Sequence, residues 1–209
     1  MTFDTNVFNA FNENADKYYQ RFKNDSQYHN WYQQLVDLMA DDADVLDVGC
    51  GPGLLAEFIL SQKPKSQMLG IDLSDNMIAL AKKHVSQADF KTMNCLNVNE
   101  LECYFDVICN AFVLPYLSPD DTKTLLTHCC DRLNPEGLLF LSWIVHPTLK
   151  QETSTSSDGR HHLDMYYHSL EMINTTLKQL GFKILFKAQQ AEPLSQKTEC
   201  CLIAQLSEQ

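Results

Sequence analysis

A cluster of three glycines after a short apolar segment limits the fold of this chain more than any other feature. Residues 44–48 are apolar enough for a buried strand, and Gly49, Gly51 and Gly53 follow it within five positions. The chain has only seven glycines, so this clustering indicates a turn whose backbone approaches another group closely. A strand that ends in such a turn and then opens a helix is typical of parallel α/β sheets, in which ligands bind at the carboxyl ends of the strands.

An acidic residue at the end of the next predicted strand complements the glycine turn. Asp72 follows Gly70 and Ile71, and a carboxylate at this position can accept two hydrogen bonds from a ribose diol. The turn and the carboxylate together indicate a cofactor that contains a nucleoside. NAD stays open as an alternative, although a dinucleotide fingerprint counted from Gly49 needs glycine where Leu54 stands. Asp47 also suits a cationic group, such as the ammonium of an amino acid, better than a pyrophosphate.

The order of the predicted elements indicates an α/β fold. Residues 6–40 have the spacing of apolar positions expected of helices, and further helices are predicted at 54–61, 74–86, 119–133 and 168–180. Residues 146–165 break the pattern and contain a polar loop at 154–159, and the last two strands are joined by a polar loop that contains Pro193. We therefore expect a mostly parallel sheet with helices on both faces, an antiparallel edge hairpin and an N-terminal helical cap. The seven predicted strands cover residues 44–48, 67–71, 89–93, 105–110, 138–144, 182–188 and 200–206.

Charge and composition exclude several classes of function. The formal net charge is −11, and a general nucleic-acid binder needs a basic face instead. The most apolar stretch, residues 138–145, is too short to cross a membrane, and residues 1–14 lack the apolar core of a secretory signal. We expect a cytoplasmic protein whose eight cysteines stay reduced and mostly pack in the core. We expect no metal site, because the pair His161 and His162 has no further residues at metal-ligand spacing.

Six segments together resemble the motifs of class I S-adenosylmethionine-dependent methyltransferases of the small-molecule type. The likeness covers nearly the whole chain and implies a Rossmann-like seven-stranded sheet and S-adenosyl-L-methionine as the cofactor. Two positions depart from the family pattern: Asn94 replaces the usual carboxylate, and Glu136 replaces the usual glycine of a turn. The segments that carry the resemblance are residues 11–18, 46–53, 70–77, 94–95, 105–112 and 133–139.

The resemblance also implies which residues hold the cofactor. Glycines of the turn and Cys50 would line its methionine and ribose portion, Asp47 would orient its ammonium, and Asp72 would hold the ribose hydroxyls. Residues after the second and third strands would meet adenine, and residues after the fourth would lie beside the methionine arm. The cofactor-binding positions implied are Tyr18, Asp47, Gly49, Cys50, Gly51, Gly53, Asp72, Leu73, Met77, Asn94, Cys95, Leu96, Asn110, Ala111 and Phe112.

By the same resemblance, the chain is one methyltransferase domain over residues 1–209. Residues 1–40 form a cap or lid, 41–145 the cofactor-binding core, 146–168 a variable substrate loop, and 169–209 a C-terminal helix with edge strands. The lid carries many aromatic residues, which suits a small, partly apolar acceptor. The sequence identifies no catalytic residue: His146 and Tyr116 are candidates for a general base, and 166–168 offer further ones.

Methyl transfer mainly requires alignment of acceptor, methyl group and sulfur, and a small-molecule acceptor is the expected partner. Two alternatives stay open: a methyltransferase that acts on a protein or tRNA, and a non-catalytic S-adenosylmethionine-binding protein. The acidic charge argues against nucleic acid as a partner, and the absence of an apolar span argues against a membrane. The acceptor atom and the oligomeric state are left open.

Overall fold

The computed structural model describes residues 5–156, 159–192 and 197–207. Ser157 and Asp158 of the predicted polar loop, and Pro193 of the last loop, lie outside the described residues. The helices are α1 (Thr5–Glu13), α2 (Ala15–Phe22), α3 (His29–Leu38), α4 (Leu54–Gln62), α5 (Asp75–His84), α6 (Pro119–Cys130) and α7 (Leu170–Gln179). The strands are β1 (Asp44–Val48), β2 (Gln67–Asp72), β3 (Asp89–Thr92), β4 (Phe105–Ala111), β5 (Leu133–Val145), β6 (Lys150–Thr155), β7 (His162–Tyr167), β8 (Phe182–Ala191) and β9 (Thr198–Leu206).

Seven of the strands form one sheet in the order β3-β2-β1-β4-β5-β9-β8. The first five strands are parallel, whereas β9 pairs antiparallel with both β5 and β8. The predicted Rossmann-like sheet with an antiparallel edge hairpin is therefore confirmed. The strand order reverses beside β1, so the carboxyl ends of β1 and β4 flank a crevice where ligands bind in sheets of this kind.

The two faces of the sheet carry separate apolar cores. Leu46, Val48 and Ile108 pack on one face with α6 and α7, and Val45, Val107 and Phe140 pack on the other with α3 and α4. Since residues alternate between the two covered faces, the central strands are mainly apolar, with Asp47 and Asn110 as buried polar exceptions near their ends. No helix in the described part of the chain is long and apolar enough to span a membrane.

The structure adds elements that the sequence did not predict. Strands β6 and β7 form a two-stranded antiparallel sheet where we expected an irregular segment. Short 3₁₀ helices also follow β3, at Cys95–Glu100, and β4, at Leu114–Tyr116. Helix α6 ends before its predicted limit because Leu133 already pairs with Phe105 as part of β5.

The N-terminal helices cover the carboxyl edge of the sheet and are fastened on two sides. The Asn12 Oδ1 atom accepts hydrogen bonds from the Ser74 hydroxyl (2.9 Å) and the Asn76 amide (3.1 Å) at the start of α5. On the other side, the Glu13 carboxylate lies 3.1 Å from Arg160 and 3.2 Å from His161, which precede β7. The expected cap is thus held between α5 and the β6–β7 hairpin.

Candidate functional site

One cavity of about 620 Å³ lies at the carboxyl edge of the sheet, beneath α1. Its walls come from the glycine turn, the ends of β2 to β4, the start of α6, and strand β7. The lining residues are Val7, Phe8, Phe11, Tyr18, Gly49, Gly51, Asp72, Leu73, Ser74, Met77, Met93, Asn94, Cys95, Leu96, Ala111, Phe112, Val113, Tyr116, Leu117, Ser118, Asp121, Asp164 and Tyr166.

The glycine turn brings bare backbone to the wall of this cavity. Gly49 has a φ of 69°, and a Cβ atom there would lie 2.2 Å from Val113 Cγ2, so no other residue fits. Gly51 has a φ of 52°, and a Cβ there would meet nothing within 4 Å, which leaves open space for a ligand. Two of the turn amides already have a partner within the fold: those of Gly49 and Cys50 donate to the Ile71 carbonyl.

Asp72 joins the two predicted halves of the site. Its carboxylate accepts hydrogen bonds from the Gly51 amide at one oxygen and from the Ser74 amide at the other, each at 2.9 Å. Burial raises the pKa of this carboxyl group, and these backbone donors partly offset the rise. Each carboxylate oxygen has a second lone pair, so Asp72 can still accept hydrogen bonds from a diol in the cavity.

Buried polar groups without partners lie near the ends of the three central strands. Both carboxylate oxygens of Asp47, both amide atoms of Asn110 and the hydroxyl of Ser142 are buried and make no hydrogen bond within the described residues. Burial and the nearby charge of Asp72 raise the pKa of Asp47 to about 7. Such groups are costly unless water or a ligand satisfies them. A cationic ligand group near Asp47 would offset the cost of its negative charge.

The residues predicted to meet adenine lie together on one side of the cavity. Leu73 and Met77 follow β2, and Asn94, Cys95 and Leu96 follow β3. The Asn94 Oδ1 atom accepts a hydrogen bond from the Leu96 amide (2.9 Å) and so caps the 3₁₀ helix. Burial raises the pKa of the Cys95 thiol to about 12, so it stays protonated at neutral pH.

Four predicted cofactor residues do not line the cavity. Asp47 and Asn110 lie buried beneath the turn, and the Cys50 thiol contacts the Gly51 carbonyl at 3.6 Å. Gly53 precedes α4, where its Cα faces Ala81 and Val85 of the α5 region. These residues lie behind the cavity wall and not on it.

Phe112 follows β4 in a conformation that is uncommon for its residue type. Its φ is 57°, in the left-handed region, and its ring packs 4.9 Å from that of Tyr28. With Ala111 it forms the wall where the predicted methionine arm would lie. Strained backbone of this kind persists only where the surroundings fix it, and it is concentrated at functional sites.

Aromatic side chains form the opposite wall of the cavity. Phe11 of α1 meets Tyr116 edge to face at 5.1 Å, and it meets Tyr18 of α2 at 6.1 Å. Burial raises the pKa of Tyr18 to about 12 and that of Tyr116 still further. Both phenols therefore stay protonated at neutral pH. Tyr116 can donate a hydrogen bond to a ligand, but it is unsuited to the role of general base.

The other aromatic residues of the lid lie elsewhere. Trp31 is buried in the core, Tyr32 packs on Phe58 and Phe140, and Tyr19 stacks on His84. Tyr18 of the lid lines the cavity, and so do Tyr116 and Tyr166, which lie outside residues 1–40.

The candidate histidines lie outside the cavity wall. The Nδ1 atom of His146 lies 2.9 Å from the Thr148 carbonyl, in a local turn after β5. His168 is buried, and its Nε2 atom lies 3.0 Å from the Leu114 carbonyl and 3.1 Å from that of Leu117. It thereby holds the 3₁₀ helix that carries Tyr116. Within the described residues, no group of three or more His, Cys, Asp or Glu side chains could hold a metal ion.

The sequence did not single out several cavity residues. Asp164 was missed because strand β7 was not predicted, although Leu163, Met165 and Tyr167 are buried at alternate positions around it. This period-two pattern was the available signal. Val113, Leu117, Ser118 and Asp121 follow β4, and their place in the cavity depends on how the chain turns there.

Comparisons with known proteins agree with this geometry. A profile described as a methyltransferase domain matches residues 45–137, which include the glycine turn and Asp72. The mitochondrial ubiquinone biosynthesis O-methyltransferase of Saccharomyces cerevisiae is 32% identical over 146 residues, covering 63% of this chain and 46% of that protein. The chain spans about half the length of the curated relatives that it matches.

Solved structures share the fold. One is the 1,6-didemethyltoxoflavin-N1-methyltransferase of Burkholderia thailandensis with 1,6-didemethyltoxoflavin and S-adenosylhomocysteine bound (TM-score 0.76, 16% identity, 97% of this chain and 88% of that chain). Another is the magnesium protoporphyrin IX methyltransferase of Synechocystis PCC 6803 with S-adenosylmethionine bound (TM-score 0.73, 19% identity, 96% of this chain and 95% of that chain). At these identities the likeness concerns the fold alone.

Proposed function

Because the chain belongs to the class I S-adenosylmethionine-dependent methyltransferases, we propose that it transfers a methyl group to a small-molecule acceptor. The observation that carries this proposal is the single continuous cavity. The glycine turn and Asp72 line one part of it, and the aromatic residues of α1, Tyr116 and β7 line the rest. The first part is called the cofactor side here and the second the acceptor side.

The residues on the cofactor side fit S-adenosylmethionine. Gly49 and Gly51 leave bare backbone for the methionine portion, Asp72 has lone pairs for the ribose hydroxyls, and the unpartnered Asp47 would interact with the ammonium. Leu73 and Met77 supply an apolar surface for adenine. When bound, this cofactor supplies a methyl group on a positively charged sulfur.

The protein's contribution is mainly alignment and exclusion of water. The bound cofactor would supply the methyl group, and the positive charge on its sulfur would be dispersed as the methyl group moves to the acceptor. A dry, well-aligned site would favour such a transfer. Helix α1, fastened through Asn12 and Glu13, covers the cavity and limits access of water.

The size of the enclosed space supports a small acceptor. A cavity of about 620 Å³ lies within the range of pockets for small molecules and must hold the cofactor as well. The names of the similar proteins support the same class, since one is a methyltransferase of ubiquinone biosynthesis and another holds 1,6-didemethyltoxoflavin. All eight cysteines are free thiols, which supports a reducing, cytoplasmic location.

Binding and transfer can be tested in sequence. Calorimetric titration of the purified chain with S-adenosylmethionine is expected to give one site, with Asp72→Ala weakening binding at least about tenfold. Asp89→Ala, an exposed residue at the amino end of β3, serves as the matched control. Absence of binding at millimolar cofactor would refute the proposal.

The class of acceptor needs a second experiment. Incubation of a cell extract with methyl-labelled cofactor and enzyme, followed by separation by size, is expected to place the label in the small-molecule fraction. Label in protein or tRNA would contradict the small-molecule acceptor. Tight cofactor binding without any transfer would favour a non-catalytic role.

A further inference from the structure

We propose that the acceptor is an arylalkylamine: a flat, largely apolar ring joined by a short saturated linker to a basic nitrogen. This inference rests on the proposed methyl transfer and narrows its substrate class. It is drawn from the charges and rings on the acceptor side of the cavity.

The charged residues of the cavity wall are all acidic. Asp72 lies on the cofactor side, Asp121 at the start of α6, and Asp164 on β7. Among the described residues that line the cavity, none is Lys, Arg or His. A carboxylate or phosphate acceptor would enter without a counter-charge and near three negative groups. A cationic amine would instead be attracted at the mouth and held in the pocket.

The acidic residue on the acceptor side keeps an oxygen available. The Asp164 Oδ1 atom accepts a hydrogen bond from the Thr153 hydroxyl (2.7 Å), which orients the carboxylate and leaves its other oxygen for a ligand. Asp121, whose Oδ2 atom accepts a hydrogen bond from the Ser118 hydroxyl (2.7 Å), lies near Cys95, among the residues predicted to meet adenine. Arg160 and His161, which precede β7, pair with Glu13.

The rings on the acceptor side fit a flat body. Phe8 and Phe11 project from α1, and Tyr116 and Tyr166 come from two other segments of the chain. The edge-to-face contact of Phe11 with Tyr116 leaves ring faces for stacking and for cation–π attraction to an ammonium. The protonated Tyr116 hydroxyl can also donate a hydrogen bond to a neutral nitrogen.

An amine must lose a proton before it can accept the methyl group. Asp164 is exposed, so solvent beside it can take that proton. The freed lone pair then forms the nitrogen–carbon bond while the carbon–sulfur bond breaks, and the electron pair of that bond stays on sulfur. The products are the N-methylated ammonium and the uncharged thioether form of the cofactor, so the positive charge passes from sulfur to nitrogen.

A matched ligand series tests the charge preference directly. The enzyme is loaded with S-adenosylhomocysteine, and phenethylamine, 2-phenylethanol and 3-phenylpropanoate are titrated by calorimetry. These probes share one ring and linker and differ in the charge of the end group. The amine is expected to bind at least about tenfold more tightly than the acid, with the alcohol between them. Equal or tighter binding of the acid, or no binding of the amine at millimolar concentration, would overturn the proposal.

A variant assigns the preference to Asp164. Asp164→Asn is expected to reduce the amine-to-acid preference about tenfold, whereas Asp89→Asn at the opposite edge of the sheet leaves it unchanged. If Asp164→Asn keeps the full preference, this carboxylate does not select the acceptor. Failure of S-adenosylhomocysteine to bind would count against the methyltransferase function itself, so the two proposals fail in different ways.

Discussion

The cofactor side and the acceptor side of the cavity are built from different kinds of structure. On the cofactor side, most residues follow directly after β1 to β4, and backbone hydrogen bonds link one strand end to the next. Asp72 on β2 accepts from the Gly51 amide, and Ile71 accepts from Gly49 and Cys50. The acceptor side is assembled from α1, β7 and the turn after β4, which meet only in the folded chain.

This difference separates two physical requirements. Close contact with a cofactor needs backbone without side chains, so it fixes residue types at successive positions. An acceptor pocket needs only apolar surface and a few charges, which many segments can supply. We therefore expect substitutions on the cofactor side to cause large losses of cofactor affinity. Substitutions on the acceptor side should cause smaller losses.

The largest effect is expected at Gly49. A Cβ atom in Gly49→Ala would clash with Val113 at 2.2 Å, at a φ of 69°. We expect cofactor affinity to fall at least about a hundredfold, measured by calorimetry. Gly159→Ala is the matched control, because Gly159 also has a positive φ of 74° but its Cβ would meet nothing within 4 Å. If Gly49→Ala bound the cofactor with unchanged affinity, the close packing of Gly49 against Val113 would not be a requirement of the cofactor side.

The next largest effect is a pH dependence that arises from Asp47. Its pKa of about 7 means that lowering the pH below 7 neutralises the carboxylate that would face the ammonium. Cofactor affinity is expected to fall by up to about tenfold per pH unit below that value. Asp47→Asn should bind weakly and show a flatter profile. A wild-type profile that is flat between pH 5.5 and about 8 would contradict this role of Asp47.

The same carboxyl group should affect stability when no cofactor is present. The pKa of Asp47 is higher in the folded chain than its ordinary value of 3.8, so the folded state binds more protons between the two values. Stability of the cofactor-free protein should therefore fall as the pH rises from 4 toward about 7. Asp47→Asn should lack this component in denaturant titrations.

A moderate effect is expected on the acceptor side, where α1 is fastened to α5. Asn12→Ala removes the acceptor of two hydrogen bonds, from Ser74 and Asn76, worth about 1–2 kcal/mol together. Hydrogen exchange in α1 should become faster, and cofactor affinity should fall only a few-fold. Asn24→Ala, an exposed position in the turn after α2, is the control. A loss of affinity as large as that of Gly49→Ala would erase the distinction between the two sides.

The smallest effect is expected at the opposite edge of the sheet. Glu136 has a φ of 61°, a conformation that glycine adopts without strain, which explains why a glycine is more usual at this turn. Glu136→Gly should raise the free energy of unfolding by about 0.5–1 kcal/mol and leave cofactor affinity unchanged. Glu136→Ala removes the same carboxylate but keeps the strained backbone, so its free energy of unfolding should not rise.

The sequence predicted the sheet and the cofactor side because both depend on local patterns. The central strands are mainly apolar, the glycine turn follows β1 directly, and Asp72 is the last residue of β2. The predicted roles of individual residues remain predictions, and the position of Asp47 beneath the turn required the folded chain. Helix α7 begins later than the predicted start at His168, because the Ser169 hydroxyl caps the helix by accepting a hydrogen bond from the Met172 amide.

The acceptor side was predicted less well for physical reasons. Strands β6 and β7 are polar on their exposed face and lie beside a Ser-rich loop, so overall polarity obscured their alternation. Their buried residues Leu163 and Met165 pack with Ala10 of α1, a contact between segments far apart in the chain. Local propensity carries no information about such a contact.

The β6–β7 hairpin has a consequence for protein engineering. It forms its own sheet outside the seven-stranded one, and an isolated bridge between Val145 and His168 joins its base to the end of β5. A hairpin from another enzyme could therefore be grafted between these two positions without altering any strand pairing of the main sheet. His168, which holds the Tyr116 segment, would stay in place as the fixed end of the graft. Exchange of this one hairpin offers a modular route to new acceptors on an unchanged cofactor-binding scaffold.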